Sequence, residues 1–272
     1  MFGCNKPPNI IIILADDAGY ADFGFTGSKE IKTPNIDNLA NDGVVFKNAY
    51  VSASVCSPSR AGLLTGMYQQ RFGHECNLDS DVNNSFDPNQ ITIAEALKTK
   101  GYKTGIIGKW HLGDKPQNHP LENGFDYFWG FLSGARNYFY NPDEKKRNSI
   151  RNVIENYSQT SFEGYLTDVL GKKAADFAQE SYKSNTPFFL FLSFNAPHTP
   201  MQAKKEVLNQ FKENPRKVYA SMMWSMDEAV GILIDKLKKN KQYENTIIYF
   251  LSDNGAATVS YTHLTLPTTP YV

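Results

Sequence analysis

Apolar positions along the chain recur in two periods. Residues 9–14, Asn9-Ile10-Ile11-Ile12-Ile13-Leu14, form a β-branched run with no polar face after its first position. Such a run predicts a strand buried on both sides, as in a parallel sheet covered by helices. Runs at 103–107, 188–194 and 246–251 predict three more core strands. Between them the period becomes helical. Thr33-Pro34 followed by Ile36, Leu39 and Ala40, and stopped by Gly43, predicts a short capped helix. Thr92 and Glu95 make a capping box for a helix over 93–100 that ends at Gly101. Leu166, Val169, Leu170, Ala174 and Phe177 place another over 165–182, and an amphipathic pattern predicts the longest over 218–239. Residues 44–50 read as extended and lead into Cys56 and a helix whose buried side carries Leu63 and Leu64. Residues 116–161, rich in Asn, Pro, Gly and aromatics without a sustained period, predict surface loops and short strands. Strands alternating with helices predict an α/β fold, a mostly parallel sheet between helical layers.

The polar residues that follow each strand turn this pattern into a candidate site. The four runs end in Asp16-Asp17, Lys109-Trp110-His111, Asn195-Ala196-Pro197-His198 and Asp253-Asn254-Gly255. Open parallel sheets bind ligands at the carboxyl ends of their strands, and four such clusters would meet on one edge. Asp16, Asp17, Asp253 and Asn254 offer only oxygen ligands, which suit a hard divalent cation, calcium or magnesium, better than zinc. Taken singly, each pair also reads as a turn or a helix cap. Cys56 falls at a helix N-terminus, where free N–H groups favour an anion, although a buried structural thiol is the ordinary fate of a free cysteine. Arg60 and Lys109 would surround the anion. His111 and His198 come from different strands, so one can act as base and the other as acid on opposite sides of a bond. His74 and His119 have no such context and read as loop or substrate-side residues.

Composition narrows the classes. In 272 residues, 28 basic and 28 acidic side chains give no net charge, so nothing in the balance suggests a nucleic-acid partner, and none is expected. The one dense basic cluster, Lys145-Lys146-Arg147, follows Asp143 and Glu144 in a solvated stretch. Three cysteines, Cys4, Cys56 and Cys76, form neither a disulfide framework nor a metal motif. No apolar run is long enough to span a membrane. Gly3-Cys4 before Asn5 and Lys6 resembles the end of a bacterial lipoprotein signal, which implies a periplasmic or extracellular protein anchored through Cys4; it reads equally as an ordinary N-terminus.

Cys56-Ser57-Pro58-Ser59-Arg60-Ala61-Gly62-Leu63-Leu64-Thr65-Gly66 resembles the signature of the type I, formylglycine-dependent sulfatases, Cys-x-Pro-Ser-Arg-x-x-x-Leu-Thr-Gly. Gly108-Lys109-Trp110-His111-Leu112-Gly113 is similar to the family's second signature. Asp16-Asp17, Pro197-His198 and Asp253-Asn254-Gly255 stand in the family's order, so the resemblance covers about 9–255. It implies an alkaline-phosphatase-like α/β fold and a sulfuric ester hydrolase that cleaves a sulfate monoester, most plausibly on a carbohydrate. It also implies calcium, with magnesium as the alternative, on Asp16, Asp17, Asp253 and Asn254. A maturation enzyme would convert Cys56 to formylglycine, whose hydrate has two hydroxyls. One attacks sulfur while a group like His198 protonates the departing alcohol; the other, deprotonated by a base like His111, expels sulfate. Arg60 would hold the hydrate, and Lys109 would contact it and the sulfate. Trp129, Tyr138, Phe139 and Tyr140 either stack on sugar rings or pack within the loop.

Two departures qualify the resemblance. The family carries a lysine beyond its Asp-Asn-Gly segment, and no lysine follows Lys241 here. The family also continues with a further strand and a smaller C-terminal subdomain. Residues 259–272 show no apolar period, and most of them match the translation of a transposon-end adapter used in sequencing libraries. The expected organisation is a remnant over 1–8, an incomplete catalytic domain over 9–258 that leaves apolar surface exposed and by itself would turn over poorly, and a non-native tail over 259–272. Two other readings remain: a phosphomonoester or phosphonate hydrolase on the same fold, against which the carboxylates for only one metal argue, and a non-catalytic binder of sulfated glycans in which Cys56 stays a thiol.

Overall fold

A computed structural model of the chain describes residues 6–77, 86–143 and 149–256. Cys4, the cluster Lys145-Lys146-Arg147 and the stretch 259–272 lie outside the described residues. Five strands run parallel at the centre: β1 (Asn9–Ala15), β2 (Lys103–Lys109), β3 (Tyr127–Phe131), β6 (Phe188–Ser193) and β7 (Thr246–Ser252). A short hairpin, β4 (Ile154–Glu155) and β5 (Ser158–Gln159), adds antiparallel to β3. The strand order is β5-β4-β3-β2-β6-β1-β7.

The two faces follow the period of two along each strand. Ile11, Ile13, Ile107, Leu190 and Leu192 pack with buried residues of α1 (Pro34–Asp42), α4 (Leu166–Ser184) and α6 (Lys217–Lys239). Ile12, Leu14, Ile106, Phe189 and Phe191 pack on the other face with α2 (Cys56–Thr65) and α3 (Ile93–Lys98). A one-turn helix, α5 (Lys205–Leu208), completes the set. The expected layered α/β architecture is therefore present.

Several local expectations need correction. β3 was not expected as a core strand, yet Tyr127–Phe131 pairs along β2 from Gly105↔Tyr127 to Lys109↔Phe131. Its two glycine neighbours explain the close fit: a Cβ on Gly130 would lie 1.9 Å from the Gly108 carbonyl oxygen. Residues 44–50 join no strand, and Val44, Phe46 and Tyr50 are exposed. Of the aromatics offered for sugar stacking, Trp129 and Tyr138 are buried in the core, which leaves Phe139 half-exposed and Tyr140 partly buried. The α3 capping box forms as expected, with Thr92 Oγ1 accepting from Glu95 N at 3.1 Å and Glu95 Oε2 accepting from Thr92 N at 2.7 Å. The α1 start differs, because its N–H groups are met by Asp227 of α6, which accepts from Ile36 N at 2.9 Å and Asn35 N at 3.2 Å. No helix among the described residues is long and apolar enough to cross a membrane.

Candidate active site

The parallel registers decide which polar residues meet. Ala15 pairs with Ser252, so Asp16 and Asp253 emerge side by side, and the backbone N–H of Asp253 donates to the Ala15 carbonyl at 3.0 Å. Gly108 pairs with Ser193 on the far side of β6 from β1, which brings Lys109 toward the same edge. Lys109 Nζ donates to Asp16 Oδ2 at 2.6 Å, with both side chains fully buried. Gly108 has φ +113, and a Cβ there would meet the Ser193 carbonyl at 1.9 Å, so only glycine lets the strands close above Lys109.

α2 lies across this edge with Cys56 as its first residue and every residue from Cys56 to Gly62 buried. Arg60 reaches down from the helix. Its Nε donates to Asp253 Oδ2 at 3.0 Å, its Nη2 stands 2.8 Å from the same oxygen as an ion pair, and its Nη1 donates to the Lys109 carbonyl at 3.0 Å and to Ser193 Oγ at 2.5 Å. Nη2 also stands 3.7 Å from Asp16 Oδ1. Ser193, which no sequence motif singles out, donates its own hydroxyl hydrogen bond to the Lys109 carbonyl at 2.7 Å.

Asp17 adopts a left-handed backbone, φ 64, that turns its carboxylate toward Cys56 and His198. Cys56 Sγ lies 3.9 Å from Asp17 Oδ1, and His198 Nε2 lies 3.6 Å from Asp17 Oδ2. Asn254 Nδ2 donates to Asp17 Oδ1 at 2.6 Å, and Asp17 N donates to Asp253 Oδ1 at 3.3 Å. The turn after Asp17 is held from below by buried Asp22, which accepts from Gly19 N at 3.1 Å, Tyr219 Oη at 2.7 Å and Arg216 Nη1 at 2.8 Å. Tyr219 and Arg216 lie 197 and 194 positions from Asp22 in sequence, so no local pattern announces them.

The charge balance follows from burial. Burial and the neighbouring Asp253 raise Asp16 to about 6, against the pull of Lys109 and Arg60. Burial alone would raise Asp253 too, but Arg60 and Lys109 hold it below the ordinary carboxylate range. Burial and Asp16 push the Cys56 thiol up to about 12, so the unmodified side chain is a thiol rather than a thiolate. His111, left-handed at φ 59, is pushed down to about 2 by burial and by Lys109 and Arg60, so its ring is neutral.

A cation fits this donor set. Asp16, Asp17, Cys56 and His198 each offer an atom, and all four atoms lie within 4.8 Å of one another. Asp16 Oδ1 and Asn254 Oδ1 are buried without a hydrogen-bond partner, a costly state for oxygens unless a cation meets them. Asp253 is committed differently, with its two oxygens taken by Arg60 and the Asp17 amide. The structure thus gathers Asp16, Asp17, Cys56, Arg60, Lys109, His198, Asp253 and Asn254. His111 follows from the end of β2. His119 stands apart, with its ring 4.6 Å from Tyr157 and its Nδ1 accepting from Leu121 N at 3.3 Å.

The edge thus sets a thiol at a helix start, facing crowded carboxylates and flanked by two buried cations. The chain belongs to the sulfatase family, whose model matches residues 8–270. It is 33% identical over 279 residues to N-acetylgalactosamine-6-sulfatase of Mus musculus, covering 95% of this chain and 52% of that one. It is 34% identical over 277 residues to arylsulfatase G of Homo sapiens, covering 92% and 52%. Among solved structures, Ps i-CgsB superposes with TM-score 0.90 at 44% identity, over 94% of this chain and 60% of that chain, and is also known in complex with k-i-k-neocarrahexaose. A Vibrio parahaemolyticus protein of the alkaline phosphatase superfamily shares the fold at TM-score 0.64 and 21% identity, over 93% and 55%. The chain spans about half the length of the curated relatives it matches.

Proposed function

We propose that this chain carries the catalytic site of a sulfuric ester hydrolase that cleaves a sulfate monoester on a carbohydrate, with formylglycine formed at Cys56 and a bound divalent cation, calcium before magnesium. The observation that carries the reading is the placement of Cys56. It opens α2 with Sγ 3.9 Å from Asp17, in a cluster whose other members are Asp16 and His198. The carbohydrate part rests on the relatives: one bears the name N-acetylgalactosamine-6-sulfatase, and one solved neighbour is known in complex with k-i-k-neocarrahexaose.

Asp16, Asp17 and Asn254 would hold the cation, with Asp253 beside them. The cation would neutralise the ester oxygens and favour the ionised form of a hydroxyl at residue 56. Formylglycine would supply two hydroxyls, one to take the sulfuryl group and one to release it. The chain's own groups do the rest. Arg60 is too deeply engaged with Asp253 and Ser193 to travel, so it acts as a fixed charge beneath residue 56. Lys109, fully buried against Asp16, adds a second fixed charge on the side of β2. His198 Nδ1 lies 2.6 Å from the Thr199 carbonyl, which can only accept, so Nδ1 carries a hydrogen. Nε2, at the partly open mouth and 3.6 Å from Asp17 Oδ2, is then the position that takes up a second proton and passes it to the departing alcohol, leaving the Nδ1–H tautomer. His111 is neutral and its Nδ1 has no hydrogen-bond partner, the state required of a proton acceptor, and an anionic ester alongside would raise its basicity.

Partners on this reading are the sulfated glycan and a formylglycine-generating enzyme. Gly3-Cys4 supports a place outside the cytoplasm, with Cys4 as a lipid site. The mass of the Cys56 peptide, after expression beside a maturation enzyme, tests the proposal. An aldehyde mass with sulfate release supports it; an intact thiol that still binds sulfated glycan supports a binding protein instead.

A further inference from the structure

Beside the nucleophile, two polar residues remain outside the chemistry above. Ser57 is fully buried, and its hydroxyl lies between the His111 carbonyl oxygen at 2.7 Å and His74 Nε2 at 2.8 Å. A hydroxyl has one proton to give. The carbonyl can only accept, so it takes the Ser57 proton and leaves an oxygen lone pair facing His74. His74 Nε2 must then carry a hydrogen. Its Nδ1 is buried without a hydrogen-bond partner, which a bare nitrogen tolerates better than an N–H would. Burial also pushes His74 down to about 4, which keeps the ring neutral. The Ser57 amide in turn donates to Asn77 Oδ1 at 3.0 Å, so the segment holding His74 and Asn77 grips the first turn of α2 twice.

The other end of this chain is the peptide of His111. That residue sits in the left-handed region, where a side chain with a Cβ stays only if its surroundings hold it. Its N–H donates to the Leu132 carbonyl at 3.1 Å, and its carbonyl receives Ser57. Gly134 leaves the ring its space, since a Cβ there would lie 2.5 Å from the ring. We infer that His74 and Ser57 are positioning residues: the chain His74 Nε2–H to Ser57 Oγ–H to the His111 carbonyl locks the proton-accepting histidine to the helix that carries the nucleophile. The inference rests on the reading of His111 as a proton acceptor in a sulfatase.

Three variants test it. Ser57→Ala removes the bridge, His74→Phe keeps a ring without a donor, and His74→Gln restores an N–H near the Nε2 position. The first readout is the ring nitrogen spectrum of the histidines in the whole chain, which needs no turnover. His74 is expected as the Nε2–H tautomer, and the His111 ring signals are expected to move in Ser57→Ala and His74→Phe and to return in His74→Gln. The second readout is turnover per formylglycine-bearing site. kcat should fall about 10- to 100-fold in the first two variants with KM nearly unchanged, and recover in His74→Gln. A wild-type chain that releases no sulfate would sink the sulfatase reading and leave the spectra to decide the relay. Unmoved His111 signals in Ser57→Ala, or kcat retained while only the unfolding midpoint drops, would overturn the inference.

Discussion

Arg60 has no exposed surface, and its guanidinium is the partner of a carboxylate pair that could not stay buried without it. Removing one member of a buried charge network leaves the others uncompensated, at roughly 3–5 kcal/mol. Arg60→Ala should therefore lose about that much stability in urea titrations, on top of any loss of turnover. Arg60→Lys keeps the charge but not the fork that serves Asp253, Ser193 and the Lys109 carbonyl together, and should recover only part of it. His74 gives a pH signature. Its folded value, about 4, lies below the ordinary 6.5, so the unfolded chain binds the proton more readily. This contribution is intact above 6.5 and is lost as pH falls toward 4. Between pH 6.5 and 5 the loss is about 1.6 kcal/mol. His74→Gln should flatten that slope, as urea midpoints at the two pH values would show.

At the scale of elements, the close contact of β2 with β3 and β6 is what delivers Lys109 to the site. Gly108→Ala would put a Cβ 1.9 Å from the Ser193 carbonyl in a left-handed backbone, so the strands must part where Lys109 and Ser193 serve Arg60. The expected cost exceeds about 3 kcal/mol, measured by denaturant, with a matching fall in turnover. The elements also show why the sequence was legible in some places and not in others. β1, β2, β6 and β7 were readable because each is a dense apolar run ending in a polar cluster. β3 was not readable as a core strand, because Tyr127-Phe128-Trp129-Gly130-Phe131 lies in a stretch whose Asn, Pro and Gly content reads as surface loops and short strands. Its strand state comes from pairing with β2, a tertiary contact that overrides local composition. The site residues were legible because their chemistry is compressed into short motifs. Ser193, His74 and Asp22 were not, because their roles depend on partners that only the fold brings near.

For the molecule as a whole, the sheet edge gathers the candidate site residues, while β7 forms its outer strand with Ile247 and Tyr249 half-exposed. The cation is the contribution the fold invites most clearly, through the orphaned oxygens of Asp16 and Asn254. Calcium at about 100 times its dissociation constant should stabilise the chain by about 2.7 kcal/mol. Such a gain should raise Tm by several degrees over a chelated sample, and Asp17→Asn should abolish the rise. The most direct test of the whole account is sulfate release from a panel of sulfated oligosaccharides, measured by ion chromatography for the chain matured beside a formylglycine-generating enzyme and for Cys56→Ala prepared the same way. The account predicts sulfate release with multiple turnovers from the first and none from the second. Equal release from both would contradict it.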